Sequence, residues 1–302
     1  MSTYQCRPGA ANGPTCLSTG SIQRLVRTWN RTQKNKVSLR RNNTSRRNNK
    51  TTDAAALWQS LRDAMAKKYK CDTEYCAVKK LADKKDQPAL LKQFKPDRPA
   101  EWDSNPKQWL DTEQIETVMK QYEDGFPEFA FLGAVPLDFD TTVPEWGQCV
   151  SEEMCKLNLA QSARKGKTKL GVIFNLDPHD KPGSHWVAAY VDSKEKAAYY
   201  YDSYGYKPEK EIAAFLERVQ EQGCDRVYYN DIRHQRSESE CGTYCMYTIL
   251  NLLGGRPFQE ICKDVVNDEV MNTFRDVLFA EEKPRKEAIE KALPLLQRLR
   301  LV

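Results

Sequence analysis

Downstream of residue 53, apolar positions recur at three- and four-residue spacing in some stretches and gather into short runs in others, which predicts helices and strands respectively. Leu57, Trp58, Leu61, Ala64, Met65 and Tyr69 follow the helical spacing behind Asp53, a natural N-cap, and predict a small helical module over 53–95. Pro96, Pro99 and Pro106, after Pro88, break any longer helix and place a linker at 96–106. Past the linker, Asp111 and Gln114 have capping-box spacing, and Ile115, Val118, Met119 and Tyr122 form the buried stripe of the helix they open. Apolar runs at 129–139, 170–176, 186–192, 197–201 and 226–229 read as strands, and the patterns at 210–222, 241–253, 258–266, 268–279 and 286–298 read as helices. Strands with helices before and after them predict an α+β fold, with helices packed on a mixed or antiparallel sheet over 107–302.

The amino-terminal segment breaks this pattern. Residues 1–20 are rich in Gly, Ser, Thr and Pro, and 24–50 interleave Arg and Lys with Asn, so 1–52 reads as a disordered basic arm. That arm holds eleven Lys or Arg and no acid, whereas the remaining chain sets 36 basic against 42 acidic residues. A body of that sign has no general attraction for polyanions, so any nucleic-acid contact falls to the arm. The chain's 302 residues, 40% apolar, suffice for one large domain with a smaller companion. The longest apolar stretch, 129–135, is far shorter than the roughly 20 residues of a membrane helix, and the amino end has no apolar signal core, so a soluble, unsecreted protein is expected. Ten cysteines scattered over such a chain are then expected as reduced thiols in a cytosolic compartment. Cys71 and Cys76 read as buried thiols, with a disulfide the lesser alternative.

Histidine is scarce: only His179, His185 and His234 are available for imidazole chemistry. His179 lies in a Pro- and Gly-rich turn, and His234 sits between charged residues with no strand to hold it. His185 opens an apolar strand, and the next strand ends in Asp202. A hairpin turning about residues 194 and 195 sets 187 opposite 202 and leaves His185 diagonal to Asp202, with backbones roughly 7 Å apart. A carboxylate there would fix the imidazole tautomer and free the other nitrogen for a nucleophile, although a strand-end His beside an Asp also serves purely structural roles. A polar loop, 232–240, delivers Cys241 to the start of an apolar helix, where unpaired amides favour a thiolate. Gly242 leaves room for a substrate backbone. Cys245, one turn on, reads as a small buried residue, and no further Cys or His stands at a zinc spacing, so neither metal nor cofactor is expected. The amide of Gln235 is suited to donate to an oxyanion beside the backbone amide of Cys241. Leu253-Gly254-Gly255-Arg256 looks like a double-glycine cleavage site but follows a helix, where Gly is the ordinary terminator.

His185-Trp186, Asp202-Ser203, Gln235 and Cys241-Gly242, in that order, resemble the active-site signature of the ubiquitin-like-protein protease superfamily, the cysteine peptidases of SUMO-protease and adenovirus-protease type. Trp109-Leu110-Asp111 with Glu113 and Ile115 is similar to that family's first helix, and the resemblance covers about residues 105–280. The segments 232–237, 185–188 and 71–76 also look like the polyprotein-processing protease of African swine fever virus. That enzyme has Asn where this chain has Asp202 and the SUMO proteases have Asp; either side chain accepts the imidazole proton.

The resemblance implies a mixed central sheet flanked by helices, with Cys241 as nucleophile, His185 as general base, Asp202 as its orienter and Gln235 as oxyanion donor. It also implies that Trp109 and Trp186 wall a narrow tunnel for a Gly-Gly segment, where the alternative for each is core packing. The expected function is a viral cysteine endopeptidase that cleaves structural polyproteins after Gly-Gly-type sites during virion maturation, in host cytoplasm at assembly sites and in the virion. The same signature fits removal of ubiquitin-like proteins from host targets, or acyl transfer. A non-enzymatic nucleic-acid-binding core or packaging protein is the remaining alternative.

Overall fold

The computed structural model describes residues 2–10, 15–38, 54–144 and 147–299, which form two compact units. The predicted cap Asp53, and residues 1, 11–14 and 39–52 of the expected arm, lie outside the described residues. Among the described residues no helix is long and apolar enough to cross a membrane.

The first unit comprises residues 1–98 and 276–289. Its helices are α1 (Thr19–Thr32), α2 (Ala54–Tyr69), α3 (Glu74–Leu81) and α4 (Gln87–Leu91). Helix α1 corrects the expectation of a disordered arm. Ser18 accepts the amide of Ser21 as N-cap, and Ile22, Leu25, Val26 and Trp29 form a stripe at helical spacing that is buried against Leu57, Leu61, Met65 and Val78. The Arg- and Asn-rich composition outweighs this stripe on paper, but four large apolar side chains on one face supply the burial that orders a helix. The outer face carries Arg24 and Arg31, which pair at 3.6 Å with Asp86 and Asp83, and the exposed Arg27.

The thiols are also corrected. Cys6–Cys16, Cys71–Cys76 and Cys149–Cys155 are disulfides, whereas Cys224, Cys241, Cys245 and Cys262 are free and buried. Each bridged pair is separated by ten residues or fewer and by 5.2 to 6.6 Å between Cα atoms, within bonding range. Scatter along the whole chain hides such local pairs.

The linker and the domain boundary differ from expectation too. Asp97 pairs with Ala280, Lys95 donates to the carbonyl of Val277 at 2.7 Å, and Arg98 binds Asp276 at 3.1 Å with both side chains buried, so 276–289 completes the first unit rather than the second. Trp102, in a short 3-10 turn at Ala100–Asp103, is buried with the guanidinium of Arg275 4.0 Å from its ring centre.

The second unit spans 99–275 and 290–302. Helix α5 (Thr112–Gly125) opens with the Asp111/Gln114 capping box and buries the predicted stripe. Strands β1 (Phe129–Val135), β4 (Lys169–Asn175), β5 (Trp186–Asp192), β6 (Ala197–Tyr201) and β7 (Arg226–Tyr229) form a mixed sheet in that order. The β1/β4 and β6/β7 pairs are parallel; β4/β5 and β5/β6 are antiparallel. Between β1 and β4 lie a small ribbon, β2 (Thr142–Val143) with β3 (Gln148–Cys149), and two short helices, α6 (Glu152–Cys155) and α7 (Leu159–Arg164). Helix α8 (Lys210–Glu221) packs Ile212, Phe215, Leu216 and Val219 on one sheet face. Helix α9 (Cys241–Leu253) is buried along its whole length. It comes close to β4 because Gly171 has no side chain: a Cβ there would sit 3.2 Å from Ile249 and 3.1 Å from Phe129. Helix α9 ends at Leu253, and Gly255, with φ +81, turns the chain away as the sequence suggests. Helices α10 (Phe258–Lys263), α11 (Asp268–Val277) and α12 (Lys286–Arg298) follow.

Trp29 is buried against Tyr69 and donates its indole N–H to the carbonyl of Asn35 at 2.7 Å. Trp29→Ala is expected to destabilise the first unit by about 3–5 kcal/mol, seen as an earlier midpoint in denaturant titration followed by circular dichroism. A change under about 1 kcal/mol would mean that residues 19–32 add nothing to the core.

Candidate active site

The site is assembled at the ends of β5, β6 and α9. Asp192 closes the β5/β6 turn by accepting the amides of Lys194 and Glu195, both at 3.0 Å, and Lys196 takes a left-handed conformation, φ +50. The hairpin pairs Ala188 with Tyr201 and Ala189 with Tyr200. One step further along this register sets 187 opposite 202, as the turn position predicts, and His185 and Asp202 meet: Nε2 lies 2.7 Å from Oδ1, with both residues buried.

Asp202 is supported on every side. Its carboxylate also accepts the amides of Tyr204 at 2.9 Å and Tyr206 at 3.3 Å, and its carbonyl accepts from the Asn230 side chain at 2.8 Å. A buried carboxylate needs such donors to offset the loss of water. For His185, burial opposes the charged ring. The hydrogen bond to Asp202 and the contact with Cys241 outweigh that effect and raise the imidazole pKa to about 9. With Nε2 committed to Asp202, Nδ1 is the nitrogen left to exchange a proton with the Cys241 sulfur.

Cys241 is the first residue of α9 and is 1% exposed. The amides of the first turn lack partners inside the helix and point toward the site. Glu240, which precedes it, is buried and held by Ser239 Oγ at 2.8 Å, by Asn272 Nδ2 at 3.1 Å and by Ser237 Oγ. Gln235 is fully buried. Its carbonyl oxygen accepts from Ser203 Oγ at 2.7 Å, which fixes the rotamer, and its Nε2 donates to the Ser237 carbonyl at 3.0 Å and lies 3.5 Å from Tyr204 Oη.

Trp186 is buried and donates its indole N–H to the Leu110 carbonyl at 3.0 Å. A Cβ on Gly242 would sit 3.3 Å from both Leu110 and Trp186, so its missing side chain lets these two residues pack against the head of α9, and the space expected for a substrate backbone there is filled by them. Trp109 is 41% exposed, which sets aside simple core packing for it. Both tryptophans line a cleft of about 490 Å³ together with Ala134, Asn175 and Gly183.

The other candidates separate cleanly. His234, for which no support was expected, is a core residue: Nδ1 lies 2.9 Å from Tyr201 Oη and Nε2 2.8 Å from the Cys262 carbonyl, and burial lowers its pKa. Both nitrogens are occupied, so it is not placed to act as a base. His179 lies in the expected turn beside Asp138. Cys245 is fully buried and its thiol donates to the Trp186 carbonyl at 3.2 Å, while burial pushes its pKa up.

Several supporting residues are not signalled by their type or spacing: Ser203, Asn230, Glu240 and Tyr204. Only Ser203 carries a hint, as the residue after Asp202 at a strand exit, where a side chain is free to reach the neighbouring loop.

Residues 164–287 match the Ulp1 protease family, C-terminal catalytic domain. The chain is similar to a protein of Acanthamoeba polyphaga mimivirus named as a thiol protease, with 34% identity over 62% of this chain and 63% of that protein, so the match spans less than two thirds of the relative. It is also similar to a cysteine protease of African swine fever virus (isolate Tick/Malawi/Lil 20-1/1983), 26% identical over 69% of this chain and 83% of that one. The crystal structure of the African swine fever virus protease in its selenomethionine form shares the fold, with a TM-score of 0.62 at 21% identity over 93% of this chain and 97% of the other.

The raised pKa of His185 carries a signed consequence. The charged ring stabilises the folded chain fully below its ordinary pKa of 6.5, and this contribution is lost as pH rises through about 9. Asp202→Asn is expected to move the midpoint of the His185 ring-proton titration, followed by NMR, downward from about 9. An unmoved midpoint would mean that Asp202 does not hold the charge.

Proposed function

We propose that the protein, whose residues 164–287 match the catalytic domain of the Ulp1 protease family, is a cysteine endopeptidase of viral type that cleaves polyproteins after Gly-Gly-type sites by way of an acyl-enzyme. The observation that carries this reading is the buried His185–Asp202 pair with Cys241 at the head of α9. The Cys241 thiolate attacks the scissile carbonyl, and the negative charge on its oxygen is met by the Cys241 amide and by the Gln235 N–H that turns to it from its long, 3.5 Å bond to Tyr204 Oη. His185, protonated at Nδ1, gives that proton to the leaving amine and later takes one from the water that hydrolyses the thioester. Asp202 holds the ring and favours its charged form throughout. That the relatives named as proteases belong to mimivirus and African swine fever virus supports the viral type of the enzyme.

The tryptophan cleft supports the choice of glycine. Trp186 is fixed by its bond to Leu110 and its packing on Gly242, and on this reading such an immobile indole admits an extended backbone but not a substrate β-carbon. For nucleic acid, the support is the basic excess of residues 1–52, of which Arg27, Lys34 and Lys36 are exposed. Contact with a phosphate backbone through them is a separate proposal.

Cys241→Ala is expected to abolish turnover with the fold unchanged, and Gln235→Ala to lower kcat roughly 10²–10³-fold, measured on a Gly-Gly peptide with a fluorescent leaving group. Cleavage by Cys241→Ala at the native rate would end this assignment.

For the cleft, replacing either Gly before the scissile bond by Val is expected to stop cleavage. Trp186→Ala is expected to relax that restriction and slow the preferred substrate. Equal kcat/KM on Gly-Gly and Val-Val peptides with the native enzyme would show that the indoles do not select.

A further inference from the structure

Tyr204 stands two residues beyond Asp202, where the chain leaves β6. Its ring stacks on the His185 imidazole, with centroids 4.7 Å apart and planes within 23°. Its hydroxyl donates to the Ser237 carbonyl at 2.9 Å, the same oxygen that accepts from Gln235, and Gln235 Nε2 lies 3.5 Å from that hydroxyl. The guanidinium of Arg233 lies 5.2 Å from the ring centre and donates through Nε to the Gln235 carbonyl at 2.9 Å. The backbone amide of Tyr204 meanwhile binds Asp202. One residue therefore touches the base, its orienting acid and the loop that carries the oxyanion amide.

We propose that Tyr204 is a positioning residue that holds the His185 ring toward Cys241 and locks the Gln235 loop to it, an inference that rests on the protease reading of this site. An imidazole held only at Nε2 still swings about the axis through Asp202. A parallel ring against its face removes that freedom, and a π-face also favours the charged ring. The hydroxyl performs a different task. By occupying the Ser237 carbonyl alongside Gln235 it holds the 235–237 turn at a fixed distance from His185, so the nitrogen that handles the proton and the amide that receives the negative charge keep one geometry. Burial first, and then the sulfur of Cys241, raise the Tyr204 phenol above its ordinary pKa, which keeps it a donor.

The two tasks are separable by substitution in the full chain. Tyr204→Phe keeps the stack and loses the hydroxyl, whereas Tyr204→Met and Tyr204→Leu fill the space without a ring. Two quantities are measured: kcat and KM on a Gly-Gly peptide, and the rate at which iodoacetamide alkylates Cys241 at one fixed pH, located by peptide mass spectrometry with Cys241→Ser as the blank. Alkylation there depends on the thiolate paired with His185 and needs no substrate. The Met and Leu variants are expected to lose roughly 10–100-fold in kcat with little change in KM, and to alkylate about 10-fold more slowly, the scale of a catalytic group misplaced by about 1 Å. Tyr204→Phe is expected to alkylate at the native rate while kcat falls several-fold through Gln235. Native alkylation rates in the Met and Leu variants would overturn the proposal, as would failure of both to fold, because Tyr204 would then be a packing residue. If the native enzyme ignores Gly-Gly peptides yet alkylation follows the expected order, the substrate reading fails and the positioning role stands.

Discussion

The hydrogen bond between His185 and Asp202 depends on the register of a single hairpin, and the rest of the site depends on that bond. A slip of one residue between β5 and β6 would turn every side chain to the opposite face and carry Asp202 away from the ring. The register is held by Asp192, whose carboxylate closes the turn, and by the alternating apolar side chains of two strands buried on both faces. Once Asp202 is fixed, the residue after it, Ser203, orients Gln235, and the amides of Tyr204 and Tyr206 fold the exit loop back onto the carboxylate. The candidate base, its acid partner and the candidate oxyanion donor thus descend from one strand end. The candidate nucleophile, Cys241, arrives independently on α9, and Gly171 lets that helix settle close to the sheet.

Much of this was legible in the sequence because the signals are local. The strands at Trp186–Asp192, Ala197–Tyr201 and Arg226–Tyr229 and the helix at Cys241–Leu253 coincide with the apolar runs that predict them. The same runs, with a turn between 192 and 197, suffice to bring His185 toward Asp202, since pairing in a hairpin is set by counting from its turn. Asp111 and Gln114 announce the start of α5 because a capping box is a property of four adjacent residues.

Features that depend on partners distant in sequence stayed hidden. The α1 stripe from Ile22 to Trp29 is short and set among Arg and Asn, and it becomes a core only when Leu57, Leu61 and Val78 are brought against it. His234 looked unsupported because its two partners, Tyr201 and Cys262, are 33 and 28 residues away. Tyr204 draws no notice from its neighbours in sequence, because its role needs the Gln235 loop, some thirty residues later. In each case the residue type permits several roles, and the neighbours choose among them.

The composition of the first unit has a consequence for the order in which the chain matures. Residues 276–289 contribute Asp276, Val277 and Ala280 to it, and these bind Arg98, Lys95 and Asp97 from the far end of the sequence. On the ribosome, domains usually fold as they emerge, the amino-terminal one first. Here the unit built from residues 1–98 lacks its last piece until residues 276–289 have been made, by which time the five strands of the main sheet and α9 have already been synthesised. The elements of the candidate site are therefore made before the first unit is finished, and any stop codon or ribosomal stall between residues 98 and 276 yields a product whose first unit has lost its last piece.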